Sequence, residues 1–430
     1  MVLKPGYKQT EVGVIPVDWE VMPLGLRASF RTGPFGSALH KSDYTSDGVP
    51  VINPMHIIDG QLIPTVTMSI TENAARNLKD FRLKPNEIVI GRRGEMGRCA
   101  VVQANQDGWL CGTGSMIVRC GKDTAPAFLQ RVLSSSCVIA AIEDTSVGST
   151  MINLNQSTLS GLKLQFPTLA EQTAIAEALS DADTLIESLE QLITKKRLIK
   201  QGAMRELLSP KDGWNEMRLG NAATLKARIG WQGLTTAEYL DSGDYHLVTG
   251  TDFKGGYINW DHCPYVDESR YKQDKNIQLR QHDVLVTKDG TIGKVALVKH
   301  LDKPATLNSG VFVIRPIENS FHPDFFYYLL CSNVFSSFLA QLSAGSTINH
   351  LYQKDFVTFN FKIPDTLDEQ IAIATTLSDM DTEIAALDIK LTKSRALKQG
   401  MMHKLLTGRI RLVPPSQNHD DCQSITGVVL

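Results

Sequence analysis

FPTLAEQTAIAEALSDADTLIESLEQLITKKRLIKQGAMRELLS, residues 166–209, recurs as IPDTLDEQIAIATTLSDMDTEIAALDIKLTKSRALKQGMMHKLLT, residues 363–407. From Glu171 and Glu369 onward about 21 of 38 positions are identical without a gap. Working outward, residues 19–208 and 214–406 carry the same landmarks in the same order. The chain is therefore an internal repeat in which each copy is a mixed domain followed by one long helix.

The helix signals are local. Thr168 with Glu171, and Thr366 with Glu369, have the spacing of a capping box, and Pro167 and Pro364 lie just upstream. Ser209-Pro210 and Gly408 supply the stops. About 40 residues at 1.5 Å each predict rods of roughly 60 Å. Apolar residues step by three and four along each copy: Ile175, Leu179, Ile186, Leu189 and Ile193, then Ile373, Leu377, Ile384, Leu387 and Leu391. That is a coiled-coil seam. Acids crowd the first half of each helix (Glu171, Glu177, Asp181, Asp183, Glu187) and bases the second (Lys195, Lys196, Arg197, Lys200, Arg205). The second copy repeats the gradient from Asp379 to Lys404. Packed antiparallel, acid meets base along the whole length, so the two helices are predicted to pair with each other and set the two heads at opposite ends of a rod. Pairing between separate chains is the alternative, but the internal partner is present at high effective concentration.

Each head is strand-rich. NEIVIGRR (86–93), RCAVVQ (98–103) and GSMIVRC (114–120) read as strands, matched by HDVLVTKDG (282–290), KVALVKH (294–300) and GVFVIRP (310–316). The apolar spacing predicts one helix over 125–144 and another over 322–342. The expected fold is α+β with a pseudo-two-fold internal repeat: heads at 1–166 and 210–363, spacer helices at 167–209 and 364–408, and a polar tail at 409–430.

Composition narrows the function. The net charge is −2 and the pI about 6.6, not the footprint of a free-standing basic nucleic-acid binder. Seven isolated cysteines include no C-x-x-C pair, which argues against a zinc ribbon or a disulfide framework. The N-terminus lacks the apolar core of a signal peptide and no apolar run is long enough to span a bilayer, so a cytoplasmic protein is expected. No Walker A string, histidine pair of metal-ligand spacing or catalytic triad stands out. Asn53-Pro54-Met55-His56 lacks the second proline and the aromatic residue of an adenine-methyltransferase motif. The chain reads as non-catalytic, with no metal of its own.

Three pairs of loops carry the functional candidates. Arg92, Arg93 and Arg98 lie among glycines at a strand-to-strand turn, matched by Lys288, Thr291 and Lys294. Glycine lets backbone approach a surface, and Arg or Lys reaches phosphates or the O6/N7 edge of guanine. Ser149 and Thr150 lie in a small hydroxyl-rich turn repeated at Ser346 and Thr347, chemistry that suits phosphate contact. The least similar segments, 30–48 and 225–245, share a Gly-aromatic-Gly core and carry Arg31, Ser37 and Lys41 in one copy, Arg228, Gln232 and Thr235 in the other. Mixed Arg, Lys, Ser, Thr and Gln suit base-edge readout, and their divergence fits two different targets. Ordinary hairpins, helix-ending turns and drifting surface loops are the plainer readings of the same segments.

YKQTEVGVIPVDWEVMPLG (7–25), the two Gly-Ser-Thr turns and the two proline-led Glu-Gln helices ending in KQGAMRELL and KQGMMHKLL together resemble the specificity (S) subunit of Type I restriction-modification enzymes. The resemblance covers the chain except its last 20 residues or so. It implies two target recognition domains, each reading one half of a bipartite double-stranded DNA sequence. It also implies helices that act as a ruler for the intervening bases and as the dock for two modification (methyltransferase) subunits. Restriction subunits would join them. S-adenosylmethionine, ATP and Mg2+ are expected on those partner subunits, with no cofactor in this chain. A rod of roughly 60 Å bounds the half-sites to within about two helical turns of DNA. A scaffold that holds two protein partners without binding DNA is the alternative from another class.

Overall fold

The strand runs fold as their β-branched composition predicts. In the computed structural model, which describes residues 5–34, 38–144, 153–229, 233–343 and 350–413, Cys99–Val101, Ile88–Gly91, Ser115–Cys120 and Ala28–Thr32 form an antiparallel sheet in that order. The second half repeats the order with Val295–Leu297, Val284–Thr287, Val311–Pro316 and Ala223–Lys226, and extends its edge with Tyr257–Ile258 and Phe253–Lys254. A smaller sheet accompanies each. Both contain one parallel pair, Leu110–Cys111 with Val49–Ile52 and Ala305–Leu307 with Tyr245–Val248.

Turn chemistry repeats as well. Asn86 and His282 take φ of 68° and 67° before the central strands. The carboxylate that follows each is buried. Glu87 accepts from the Lys84 N–H and from Arg119; Asp283 accepts from the Arg280 N–H and from Arg315. Each buried acid thus ties its strand to a neighbouring strand, and losing either arginine strands a buried charge.

The helix expected over 125–144 is broken into Pro126–Leu133 and Ser136–Asp144, and that over 322–342 into Pro323–Leu330 and Asn333–Ser343, with a 55° bend in the second. The hydroxyls of Ser134, Ser135 and Ser332 donate back to the carbonyls of Gln130, Val132 and Leu329, ending the helix locally. No single helix among the described residues is long and apolar enough to cross a membrane.

The repeated segments form helices over Leu169–Leu207 and Leu367–Leu406. Only half of each capping box is made: the Glu171 and Glu369 N–H groups donate to Thr168 and Thr366 Oγ1 at 3.4 and 3.3 Å. The Glu171 side chain is drawn elsewhere. It is fully buried, accepting from Trp19 Nε1 at 3.0 Å and from Arg411, which also pairs with Asp18. The following glutamine does the joining in both copies. Gln172 Oε1 accepts from the Ala125 N–H and its Nε2 donates to the Pro167 carbonyl; Gln370 does the same with His322 and Pro364. Ala125 and His322 cap equivalent head helices, so one side chain fastens each long helix to its head.

The chain divides into two compact units, residues 1–189 with 390–430, and 190–389. Each holds one head, part of the first long helix and part of the second. In the first unit Ile175, Ala176, Leu179, Leu405 and Leu406 share a core with Trp19, Phe128 and Leu133. In the second, Ile373, Ala374, Leu377 and Leu208 share one with Phe325, Tyr328 and Phe359. The start of one helix meets the end of the other, so the segments run antiparallel within each unit. Each buried Leu or Ile contributes roughly 2 kcal/mol relative to exposure. Ile186, Ile384 and Leu387 of the seam are only half-buried, while Leu189, Ile193 and Leu391 are buried. The charge gradient closes as ion pairs: Lys398–Asp183 in the first unit, Lys196–Glu383, Arg197–Asp388 and Lys200–Asp381 in the second.

Candidate nucleic-acid interface

Strands Ala28–Thr32 and Ile88–Gly91 end, and Ser115–Cys120 begins, at one edge of the first sheet. Loops from distant parts of the chain are stitched to that edge through backbone. The Gly33 N–H donates to Ser115 O at 3.0 Å, Gly112 to Ile52 O at 2.8 Å, Arg92 to Gly114 O at 2.9 Å and Leu154 to Arg92 O at 2.9 Å. The approach is close enough to require glycine: a Cβ on Gly33 would lie 1.9 Å from Gly112 O. The second unit repeats three of these four bonds. Asn308 donates to Val248 O at 2.9 Å, Lys288 to Gly310 O at 2.9 Å and Leu351 to Lys288 O at 2.8 Å. The turns beside it match: the Asn53 N–H donates to His56 Nδ1, the Thr249 N–H to Asp252 Oδ2.

Among the described residues, each head therefore brings the Arg92 or Lys288 turn and the segment that starts at Leu154 or Leu351 to one rim. Among the first unit's candidates, Arg93 is exposed and has no ion pair among the described residues, and Lys41 is exposed on the short helical turn Lys41–Asp43. Arg92 is half-buried and its Nε donates to Leu154 O at 2.8 Å; burial, and then the charge of Arg93, lowers its pKa. It props the neighbouring loop. Arg98 is spent on Glu95 within the turn. Arg31 pairs with Asp80 at 3.0 Å and lies over the Phe81 ring.

In the second unit Thr291 and Lys294 are exposed on the turn, and Lys288 is half-buried with its Nζ 5.5 Å from the Phe312 ring centre. Thr235 is exposed and caps a helical turn with Glu238. Arg228, expected to face DNA, is 1% exposed. Its guanidinium donates to Leu307 O, Gln273 Oε1 and Thr306 Oγ1, so its donors are satisfied inside the head, while burial lowers its pKa from the ordinary arginine value. Ser37, Ser149, Thr150, Gln232, Ser346 and Thr347 lie outside the described residues.

The turn glycines also act differently from expectation. Gly97 and Gly293 take φ of 80° and 79°, and a Cβ there would lie 2.5 and 2.3 Å from Ile139 and Leu339 Cδ1. They let the turn pack on a helix of its own head, while Met96 and Ile292 anchor it in the core. The tips, Arg93 to Glu95 and Asp289 to Thr291, face outward, and Lys294 at the foot of the second turn does too.

Residues that sequence reasoning missed complete the rims. Met55 is 54% exposed beside Asn53. In the second unit Tyr352 is 55% exposed between the His350 ring and Lys354, His350 pairs with Asp289, and Asn308 Nδ2 donates to Tyr239 OH at 2.6 Å. The types of Met55, His350, Tyr352 and Asn308 are not shared between the two units, so the repeat carried no signal for them. The two rims thus have one backbone and two chemistries, three arginines and a glutamate in the first turn against two lysines and an aspartate in the second. Among the described residues no group of three or more His, Cys, Asp and Glu is arranged to hold a metal ion, and burial pushes the Cys99 thiol up to about 12.

A family model, the Type I restriction modification DNA specificity domain, matches residues 16–196 and again 211–393. The chain is 24% identical to the Type I restriction enzyme MjaVIII specificity subunit of Methanocaldococcus jannaschii, covering 93% of this chain and 94% of that one. It is 21% identical to the EcoBI specificity subunit of Escherichia coli, covering 90% and 85%. The crystal structure of the S subunit of a Type I restriction-modification system from M. genitalium aligns over 94% of this chain with a TM-score of 0.58 at 17% identity.

Proposed function

The chain belongs to the Type I restriction modification DNA specificity family, and on that premise we propose that each loop rim reads one half of a bipartite double-stranded DNA target. The carrying observation is the doubled lattice: identical backbone stitching around Arg92 and Lys288, filled with different side chains. A shared frame sets both rims against a duplex in the same way, and the differing tips let each read a different sequence. The family match favours this reading over a protein-only scaffold.

The paired helices set the spacing and dock two modification subunits. Those carry S-adenosylmethionine and methylate the target; restriction subunits bring ATP and Mg2+ chemistry. This chain supplies recognition and no catalytic group, and works in the cytoplasm. Near-neutral charge fits the role, since modification subunits would supply much of the positive surface around DNA.

Methylation-aware sequencing of DNA from cells expressing the chain with its modification subunits tests this. An asymmetric two-part motif with a fixed gap is expected, lost when the chain is deleted. Exchange of residues 30–48 should change one half of the motif only. A motif that survives deletion, or a footprint independent of sequence, would refute the reading.

A further inference from the structure

Asp183 and Asp381 occupy equivalent places in the repeated helices, and each is the meeting point of three elements of its unit. Asp183 takes Lys398 from the other long helix and Arg131 Nη2 from the head at 2.6 Å. Asp381 takes Lys200 from the other long helix, Tyr328 OH from the head at 2.8 Å and Tyr257 OH at 3.4 Å. Lys398 and Lys200 are themselves equivalent. So are Arg131 and Tyr328, each five residues past the proline that opens its head helix. The site is therefore conserved within the chain in its helix part and changed in its head part. Asp381 and Lys200 are largely shielded, with side chains 18% and 20% exposed; Arg131 is 18% exposed. In the second unit Lys299 adds a parallel tie, donating to Ser378 Oγ at 2.9 Å while lying over the Tyr257 ring.

The Gln172 and Gln370 bonds fasten each head only at the first turn of its long helix, and the apolar contacts beyond that turn are not directional. A carboxylate on one helix that must satisfy donors from the other helix and from the head restricts the arrangement of all three. We propose that Asp183 and Asp381 are positioning residues that fix the seat of each head on its helix segments, and so fix the number of base pairs allowed between the two half-sites. This rests on the reading of the rims as DNA readers. The helix-to-helix ion pair is common to both seats. The head anchor is a charged pair in the first unit and a phenol in the second, so the two seats should differ in salt sensitivity.

The test uses the full chain with its modification subunits, read by methylation-aware sequencing of genomic DNA. Arg131→Met, and Tyr328→Phe combined with Tyr257→Phe, cut the head anchors and leave the lysine–aspartate pairs. Both half-site sequences should stay as in the wild type. Sites with a gap one base pair longer or shorter should be methylated at least tenfold more than by the wild type. Asp381→Asn keeps an acceptor for Tyr328 and should retain more spacer stringency than the tyrosine variants. Wild-type spacer stringency in both anchor variants would overturn the proposal, as would a change in either half-site sequence. Thermal melting separates these outcomes from misfolding: a variant that melts as the wild type yet ignores spacer errors supports a seat, and one that melts early but keeps its spacer stringency counts against it. A wild-type chain that directs no bipartite methylation would instead remove the functional reading underneath.

Discussion

Replacing Arg411 by alanine isolates a buried carboxylate. Arg411 holds Glu171 through Nε and Nη2 at 2.5 and 2.8 Å and Asp18 through Nη1 and Nη2 at 2.9 and 2.7 Å. Glu171 is fully buried; with arginine gone it keeps only Trp19 Nε1 as partner. Removing one member of a buried pair costs about 3–5 kcal/mol, most of it the stranded charge rather than the lost attraction. Asp18 is part exposed and rehydrates, so the lower half of that range, about 3 kcal/mol, is expected here. The loss should fall on the opening turns of the first long helix, because Glu171 lies in the first of them. Hydrogen exchange of amides 172–179 should then accelerate about a hundredfold or more, as 1.4 kcal/mol is a factor of ten. The decisive variant is Arg411→Ala with Glu171→Gln. It removes the charge and keeps the shape, so it should recover more than half of the loss. Acceleration below about fivefold in Arg411→Ala, or no recovery in the double variant, would refute the stranded-charge account.

Gly97→Ala adds a Cβ 2.5 Å from Ile139 Cδ1 at φ +80°, and should cost about 2–3 kcal/mol in melting, whereas Gly94→Ala at φ +81° has open space and should cost about 1 kcal/mol; equal costs would show that packing on the helix is not the constraint. Arg93→Ala should leave melting unchanged and weaken DNA binding by the assembled complex, with the slope of log affinity against log salt falling by about 1; an unchanged slope would remove Arg93 from the phosphate contacts. His246 is buried against Tyr265, and burial, with the Lys303 charge, holds its pKa below the ordinary 6.5. The unfolded chain takes up that proton first, so the stability is present above pH 6.5 and lost as pH falls below it. Urea midpoints at pH 7.5 and 5.5 should fall less for His246→Phe than for the wild type, and an equal fall would refute this.

How far the sequence reached varies with the range of the interaction involved. Strand and helix positions were legible because β-branched runs, glycines and three-four spacing act over a few residues. The break at Ser134–Ser135 was missed because apolar spacing continues across it, while serine hydroxyls bonding backward end the helix. Arg228 looked like a DNA contact because it is basic in a polar, divergent loop; Leu307, Thr306 and Gln273, some 40 to 80 residues away, bury it. Gln172 and Gln370 were visible only as part of a repeated Glu-Gln pair. That the glutamine, not the glutamate, fastens helix to head depends on Ala125 and His322 arriving beside it.

The sequence by itself determined that the chain is a repeat, that its helices carry a charge gradient suited to antiparallel pairing, and that it belongs with Type I specificity subunits. These follow from periodicity, charge order and motif order, all one-dimensional properties. Tertiary structure alone decided which basic side chains are spent internally, as Arg92, Arg98 and Arg228 are, and which remain outward, as Arg93, Lys41 and Lys294 do. It alone brought Asn53, Gly112, Arg92 and Leu154 to one sheet edge, and Asp183 and Asp381 to the junction of two helices and a head. Burial and donor–acceptor pairing are set by neighbours distant in sequence, and no local pattern encodes them.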